Sequence, residues 1–250
     1  MDAATALGLP AGIRACLFDL DGVLTRTAVL HAEAWKQMFD TYLRGRAEHT
    51  GEEFREFDAG ADYNSFVDGK PRLEGTRDFL RSRNIELPVG DPADVAGTET
   101  LWGLSNRKNE IVRNLILDRG VEVYEGSVAY VQKAREAGLT CVVVTSSANA
   151  ADVLAVAGLT DSFDARIDGV VAAERHLAGK PAPDTFLAGA EAAGILPRQA
   201  AVFEDALAGV EAGRAGGFGC VIGVDRVGQR AALKEHGADL VVSDLAELVG

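Results

Sequence analysis

The feature that most constrains this chain is a series of short, continuously apolar runs separated by helical patterns. The runs cover residues 14–18, 139–144, 201–203, 220–224 and 240–242. A strand with one wet face alternates apolar and polar residues, whereas a run that is apolar throughout is covered on both faces. Residues 127–137, 150–157, 183–193, 206–215 and 228–236 carry helical spacing instead. This alternation predicts an α/β fold: a Rossmann-like parallel sheet with helices on both faces. With 250 residues, 47% of them hydrophobic, the chain has enough material for a substantial core.

The stretch from about residue 29 to residue 119 breaks the pattern. It is rich in charge, has no comparable apolar run, and suggests amphipathic helices over 30–42, 72–83 and 101–117. Residues 48–61 and 87–98 suggest loops. The expected organisation is a discontinuous core of residues 1–27 and 120–250, with a helical cap of residues 28–119 inserted after the first strand.

A formal charge of -13 repels nucleic acid and anionic membranes, so neither is expected as a partner. A phosphate ester would need a local positive site to overcome that field. Cys16, Cys141 and Cys220 each sit in an apolar strand-like run and are expected to be small buried hydrophobes. No apolar run is long enough to span a bilayer and no secretory leader is evident, so a cytoplasmic protein, acting as a monomer, is expected.

Four strand ends carry polar residues of chemical interest. The first run delivers Asp19, Leu20, Asp21 and Gly22. Alternation puts both carboxylates on one side, at the end of a parallel strand where such sheets bind ligands. Two like charges so close need a cation or a shared proton, although a capped turn would carry the same residues. The run at 201–203 ends in Glu204 and Asp205, hard oxygen donors suited to Mg²⁺ or, equally, to a helix N-terminus. The run at 139–144 is followed by Thr145, Ser146 and Ser147 before a helix, an arrangement that suits a phosphate or an ordinary cap. Lys180 precedes Pro181, Ala182, Pro183 and Asp184, and the prolines hold that turn extended.

Together, in this order and each after a strand, these segments resemble the four motifs of the haloacid dehalogenase superfamily of phosphotransferases. The resemblance implies that Asp19 attacks phosphorus and becomes an aspartyl phosphate, with Asp21 as general acid and base. It implies Mg²⁺ held by Asp19, the Asp21 backbone carbonyl and Asp205, with Glu204 beside them. Thr145 and Lys180 then bind the transferring phosphoryl group.

Within the superfamily the chain is similar to the β-phosphoglucomutase group. Thr25, Arg26, Thr27 and His31 resemble a Thr-Asp-Thr-x-x-x-His stretch, whose Thr and His position the acid/base. Gly69, Lys70, Pro71 and Arg72 match a cap loop whose arginine holds the distal phosphate of a sugar bisphosphate. Arg107, Lys108 and Asn109 match a segment that contacts the sugar. Ser146, Ser147 and Asn149 match a loop lining the phosphate and sugar sites. The sequence departs from the group at Arg26, where Asp is usual, at Ala148, where Lys is common, and in an insertion around residues 48–57.

The resemblance implies a small phosphorylated sugar as partner, and as activity the conversion of β-glucose 1-phosphate to glucose 6-phosphate through a bisphosphate. A sugar-phosphate or small-molecule phosphatase uses the same core with water as acceptor, and Arg26 and Ala148 keep that alternative open. A non-catalytic module on this fold would not need Asp19, Asp21, Lys180 and Asp205 together.

Overall fold

The structure is a computed structural model and describes residues 2–249. Six strands form one sheet: β1 (Ala15–Phe18), β2 (Thr140–Val144), β3 (Ala165–Ile167), β4 (Ala200–Glu204), β5 (Cys220–Val224) and β6 (Leu240–Val242). All are parallel, in the order β3-β2-β1-β4-β5-β6. The first strand in sequence is therefore central. The chain leaves β1 toward β2 on one side and later fills β4 on the other, which makes the end of β1 the switch point of the sheet. Register pairs Phe18 with Val143 and with Phe203.

Side-chain alternation explains why β1 is apolar throughout. Leu17 packs with Val142, Val144 and Val202 against Phe186 of helix Asp184–Ala192 and Val210 of helix Leu207–Ala215. Phe18 points the other way, stacks on Phe203 at 4.5 Å between centroids, and meets the edge of Tyr130 from helix Glu125–Glu136. Cys16 and Cys141 face each other in register, and with Cys220 they are buried free thiols. Burial disfavours the thiolate, pushing Cys141 up to about 12 and Cys220 up to about 11.

The sixth strand, β3, is a correction to the sequence reading. Its three residues are Ala165, Arg166 and Ile167, and the central arginine breaks the apolar signature. An edge strand tolerates that charge because one side of it is open. Arg166 Nε donates to Asp168 at 2.7 Å. Asp168 in turn caps the short helix Gly169–Glu174, also unforeseen, by accepting from Val170 and Val171 N–H.

By compactness the chain divides into residues 1–26 with 121–250, which carry the sheet, and residues 27–120. The second unit contains helices Thr27–Thr50, Arg72–Ser82 and Leu101–Arg119, with a π-helical turn at Tyr63–Val67. Its own apolar core gathers Trp35, Met38, Phe39, Phe57, Phe79, Leu80, Leu101 and Leu104. The first helix extends well past residue 42, and part of the expected 48–61 loop is its last turn. The rest of that insertion is pinned down. Phe57 is fully buried against Phe39 at 5.2 Å. Its N–H donates to Asp40 Oδ1 at 2.8 Å, and its carbonyl accepts from Lys36 at 2.9 Å. Among the described residues, no helix is long and apolar enough to cross a membrane.

Candidate active site

β1 ends by handing Asp19 into the gap between its two neighbours, with the Asp19 N–H donating to the Phe203 carbonyl at 3.0 Å. From one side β2 delivers Thr145, whose N–H donates to the Ile167 carbonyl. From the other side β4 delivers Glu204 and then Asp205. The turn before helix Asp184–Ala192 supplies Lys180, whose Nζ donates to Asp19 Oδ1 at 2.5 Å, to Glu204 Oε1 and to the Val144 carbonyl at 3.3 Å. Glu204 Oε2 accepts from the Ala206 N–H, so both of its oxygens are engaged. All of these charged groups are buried, and Lys180 is only 2% exposed.

The electrostatics follow from that crowding. Burial alone would lower the pKa of Lys180. Asp19 and Glu204 outweigh it and hold the ammonium protonated, above its usual range. Burial pushes Asp19 well above the carboxylate range. Lys180 pulls it down, while Glu204 and Asp21 push it further up. One ammonium cannot neutralise this many carboxylates. Asp19, Glu204 and Asp205 each offer an oxygen, all within 4.8 Å of one another. Hard oxygens that lack sufficient positive charge fit Mg²⁺. The Asp21 side chain is not one of that trio. Its Oδ2 lies 3.5 Å from Thr145 Oγ1.

Two glycines make room for the carboxylates. Gly22 sits at φ +87°, and a Cβ there would lie 1.8 Å from Asp205 Oδ2. A Cβ on Gly209 would come equally close to Glu204 Oε1. After β2, Thr145 Oγ1 accepts from the Ser147 N–H at 3.1 Å, and Ser147 Oγ accepts from the Asn149 N–H at 3.2 Å. These bonds fold Ser146, Ser147 and Asn149 into a tight turn before helix Ala150–Val156. The Ser147 carbonyl accepts from the Gly169 N–H, and Ala148 leaves this loop without a cation at that position.

In the helical unit, His31 Nδ1 lies 2.9 Å from Lys108 Nζ. An ammonium only donates, so Nδ1 accepts and the ring proton sits on Nε2. Lys108 also lies 4.9 Å from the centre of the Trp35 ring. Thr27, buried, opens the helix that carries His31. Gly69, at φ +69°, turns the chain so that Arg72 opens its helix behind Pro71. The Arg72 carbonyl accepts from Thr76 Oγ1 at 2.9 Å, and its guanidinium lies 5.7 Å from the Trp102 ring. Among the described residues no carboxylate pairs with Arg72, and its buried Nε has no hydrogen-bond partner. Burial therefore drags its pKa below the usual arginine value. Arg26 is occupied elsewhere, 3.7 Å from Glu122 and over the Tyr124 ring.

Sequence reasoning missed the loop after β5. Arg226 there binds the Gly22 carbonyl at 2.8 Å, and Gln229 donates to the Asp205 carbonyl at 2.9 Å. The strand-end rule that found Asp19 applies equally to β5. It was silent because these side chains hold backbone and not a reacting group.

A switch-point carboxylate that faces a buried lysine and forms, with two further acids, a trio fit for a divalent cation defines an enzyme of phosphoryl transfer on a parallel α/β sheet. The chain belongs to the haloacid dehalogenase-like hydrolase family, whose model matches residues 13–217. It is 57% identical over 246 residues to a β-phosphoglucomutase of Mycobacterium tuberculosis, covering 97% of this chain and 94% of that one. A fructose-1-phosphate phosphatase of Escherichia coli is 32% identical over 208 residues, covering 82% of this chain and 93% of that one. Among solved structures, a β-phosphoglucomutase from Clostridium difficile superposes with a TM-score of 0.72 at 26% identity, covering 94% and 93% of the two chains.

Proposed function

We propose that the chain is a mutase that converts β-glucose 1-phosphate to glucose 6-phosphate, passing the phosphoryl group through Asp19. The cluster of Asp19, Lys180, Glu204 and Asp205 supports covalent phosphoryl transfer. The observation that carries the choice of sugar is the 57% identity, over 97% of the chain, to a β-phosphoglucomutase.

In this reading phospho-Asp19 gives its phosphoryl group to the sugar 6-hydroxyl while Asp21 takes the hydroxyl proton. The resulting bisphosphate reorients. Asp19 then attacks the 1-phosphoryl group, Asp21 returns the proton to the departing O1, and glucose 6-phosphate leaves. Covalent catalysis splits one displacement into two, and Asp21 serves as base in one half and acid in the other. Mg²⁺, held by Asp19, the Asp21 carbonyl and Asp205 with Glu204 beside them, supplies positive charge to the transferring group when bound. Thr145 and Lys180 hold equatorial phosphoryl oxygens, and Ser146, Ser147 and Asn149 line the same site.

We assign the sugar and its distal phosphate to Thr27, His31, Gly69, Arg72 and Lys108. The desolvated, unpaired guanidinium of Arg72 supports an anion as its partner. Three buried free thiols suit a reducing, cytoplasmic setting.

The test mixes the protein with Mg²⁺, β-glucose 1-phosphate and a trace of bisphosphate primer, and follows glucose 6-phosphate and free phosphate. Formation of glucose 6-phosphate without stoichiometric phosphate release is expected. Phosphate release without isomerisation would instead favour the phosphatase reading, which the Escherichia coli relative supports.

A further inference from the structure

Arg226 follows the C-terminal end of β5 and takes no part in the chemistry described above, yet its side chain is only 12% exposed. A guanidinium has five N–H donors in one plane. Here five acceptors surround it. Nε donates to the Gly22 carbonyl at 2.8 Å, and one terminal nitrogen donates to the Val23 carbonyl and to Ser127 Oγ, each at 3.3 Å. The other terminal nitrogen donates to the Ser243 carbonyl at 2.6 Å and to Asp244 Oδ2 at 3.4 Å. The face of the guanidinium lies over Tyr124, 3.5 Å from the ring centre. This side chain thus joins the turn after Asp21, the start of helix Glu125–Glu136 and the end of β6.

The turn it grips is the one that aims Asp21. The Gly22 N–H donates to the Thr25 carbonyl at 2.8 Å, which fixes the plane of the Asp21–Gly22 peptide. A trans peptide points its C=O opposite its N–H, so the Asp21 carbonyl is aimed away from Thr25. Gly22 is the most permissive residue for the next rotation. Its carbonyl is the atom Arg226 Nε holds. The same segment is tied to the returning chain by Tyr124 N–H to the Leu24 carbonyl at 2.9 Å and Arg26 N–H to the Glu122 carbonyl at 2.8 Å. Tyr124 therefore sits under two guanidinium groups, those of Arg26 and Arg226, at the place where the chain leaves the sheet unit and comes back.

We propose that Arg226 is a positioning residue that fixes the Gly22 and Val23 carbonyls, and through them the Asp21 carbonyl, in the orientation a bound Mg²⁺ requires. The proposal rests on the assignment of the Asp21 carbonyl as a metal contact. Groups that orient a metal's ligands without touching the metal typically change affinity or activity by about 10- to 100-fold when removed. Lysine cannot substitute, because three donors on a point charge do not reproduce a planar fork with a stacking face.

The test titrates MgCl₂ by calorimetry into the full chain as wild type, Arg226→Lys, Arg226→Met and Asp205→Asn, with thermal unfolding and steady-state kinetics on each. For Arg226→Met the expected result is a Mg²⁺ dissociation constant about tenfold weaker and a kcat lowered more than KM, with only partial recovery in Arg226→Lys. A folded Arg226→Met whose Mg²⁺ affinity and kcat stay within about twofold of wild type overturns the proposal while leaving the metal assignment intact. Should Arg226→Met not fold, Arg226→Lys is judged by the same twofold criterion. Wild type that binds no Mg²⁺, or Asp205→Asn that binds it undiminished, overturns the metal assignment and the positioning role with it.

Discussion

In the sheet unit, Lys180 is surrounded by carboxylates, bonded to Asp19 and Glu204 with Asp205 close by. In the helical unit, Arg72 and Lys108 lie against indole rings, those of Trp102 and Trp35, and Lys108 also meets His31. The first arrangement leaves an excess of negative charge that suits a divalent cation. The second sets the Arg72 guanidinium, its Nε without a hydrogen-bond partner, against an aromatic face that solvates positive charge without cancelling it, and so suits an anion. Under the proposed function, the sheet unit acts on the bond that breaks and the helical unit binds the rest of the molecule that carries it. If that division holds, substitutions in the two units separate by substrate: one class stops all turnover, the other only turnover of sugar phosphates.

The largest expected effect is that of Asp19→Asn, which should abolish turnover of every phosphate ester, since an amide cannot form the acyl phosphate. Wild-type rates on a reactive aryl phosphate would remove Asp19 from its role. Next comes Lys180→Met, which strands buried carboxylates with no ammonium among them. Removing one partner of a buried pair costs about 3–5 kcal/mol, and chemical denaturation with and without Mg²⁺ measures it. Added Mg²⁺ should recover part of the loss by binding only the folded state. The sign with pH is fixed by the raised pKa of Lys180. Its contribution is complete below the ordinary lysine value, about 10.4, and is lost only as the pH rises beyond it toward the still higher folded value. A stability loss in wild type confined to neutral pH would contradict this.

Arg72→Ala comes third, and it is the sharpest probe of the comparison. It should reduce use of a sugar bisphosphate by roughly 10- to 100-fold, the effect of losing a charge-assisted contact of about 1.5–3 kcal/mol, and leave a small aryl phosphate nearly untouched. Equal losses on both substrates would erase the distinction between the units. The smallest effect is an expected absence. Cys16, Cys141 and Cys220, held as neutral buried thiols, should not react with an aromatic disulfide at neutral pH until the protein is denatured. Rapid reaction of one thiol in the native state would mean that the sheet opens locally.

Most of the sheet was legible because β1, β2, β4, β5 and β6 are apolar at nearly every position, the signature of strands covered on both faces. β3 was not, because one arginine in three residues erases that signature at an edge. The acids at the ends of β1 and β4 were legible because each pair follows an apolar run, whereas Lys180 lies in a turn between two helices and was marked only by the prolines after it. What that reading lacked was backbone. Nothing in the sequence pairs Arg226 with Gly22 and Val23, because a carbonyl acceptor is common to every residue and leaves no mark in composition. The segment at 51–58 is irregular, as a loop reading expects, but its packing left no mark in the sequence for a related reason. Phe57 is one of two phenylalanines in a charged stretch, the other being the exposed Phe54, and only the packing of Phe39 and Phe79 around Phe57 reveals why the segment is fixed.

The central position of β1 has a consequence for biosynthesis. Asp19 and Lys180 are 161 residues apart in sequence. At about 5–20 residues per second, the ribosome has β1 in hand for roughly 10–30 s before Lys180 is made. During that interval residues 27–120 emerge whole, with an aromatic core of their own around Phe39, Phe57 and Phe79, while β1 has no strand to pair with until β2 appears. The helical unit can therefore mature on the ribosome while the sheet unit waits. The acids of the site come together only after Asp205 has been made, so a nascent chain released before that point lacks a complete catalytic centre.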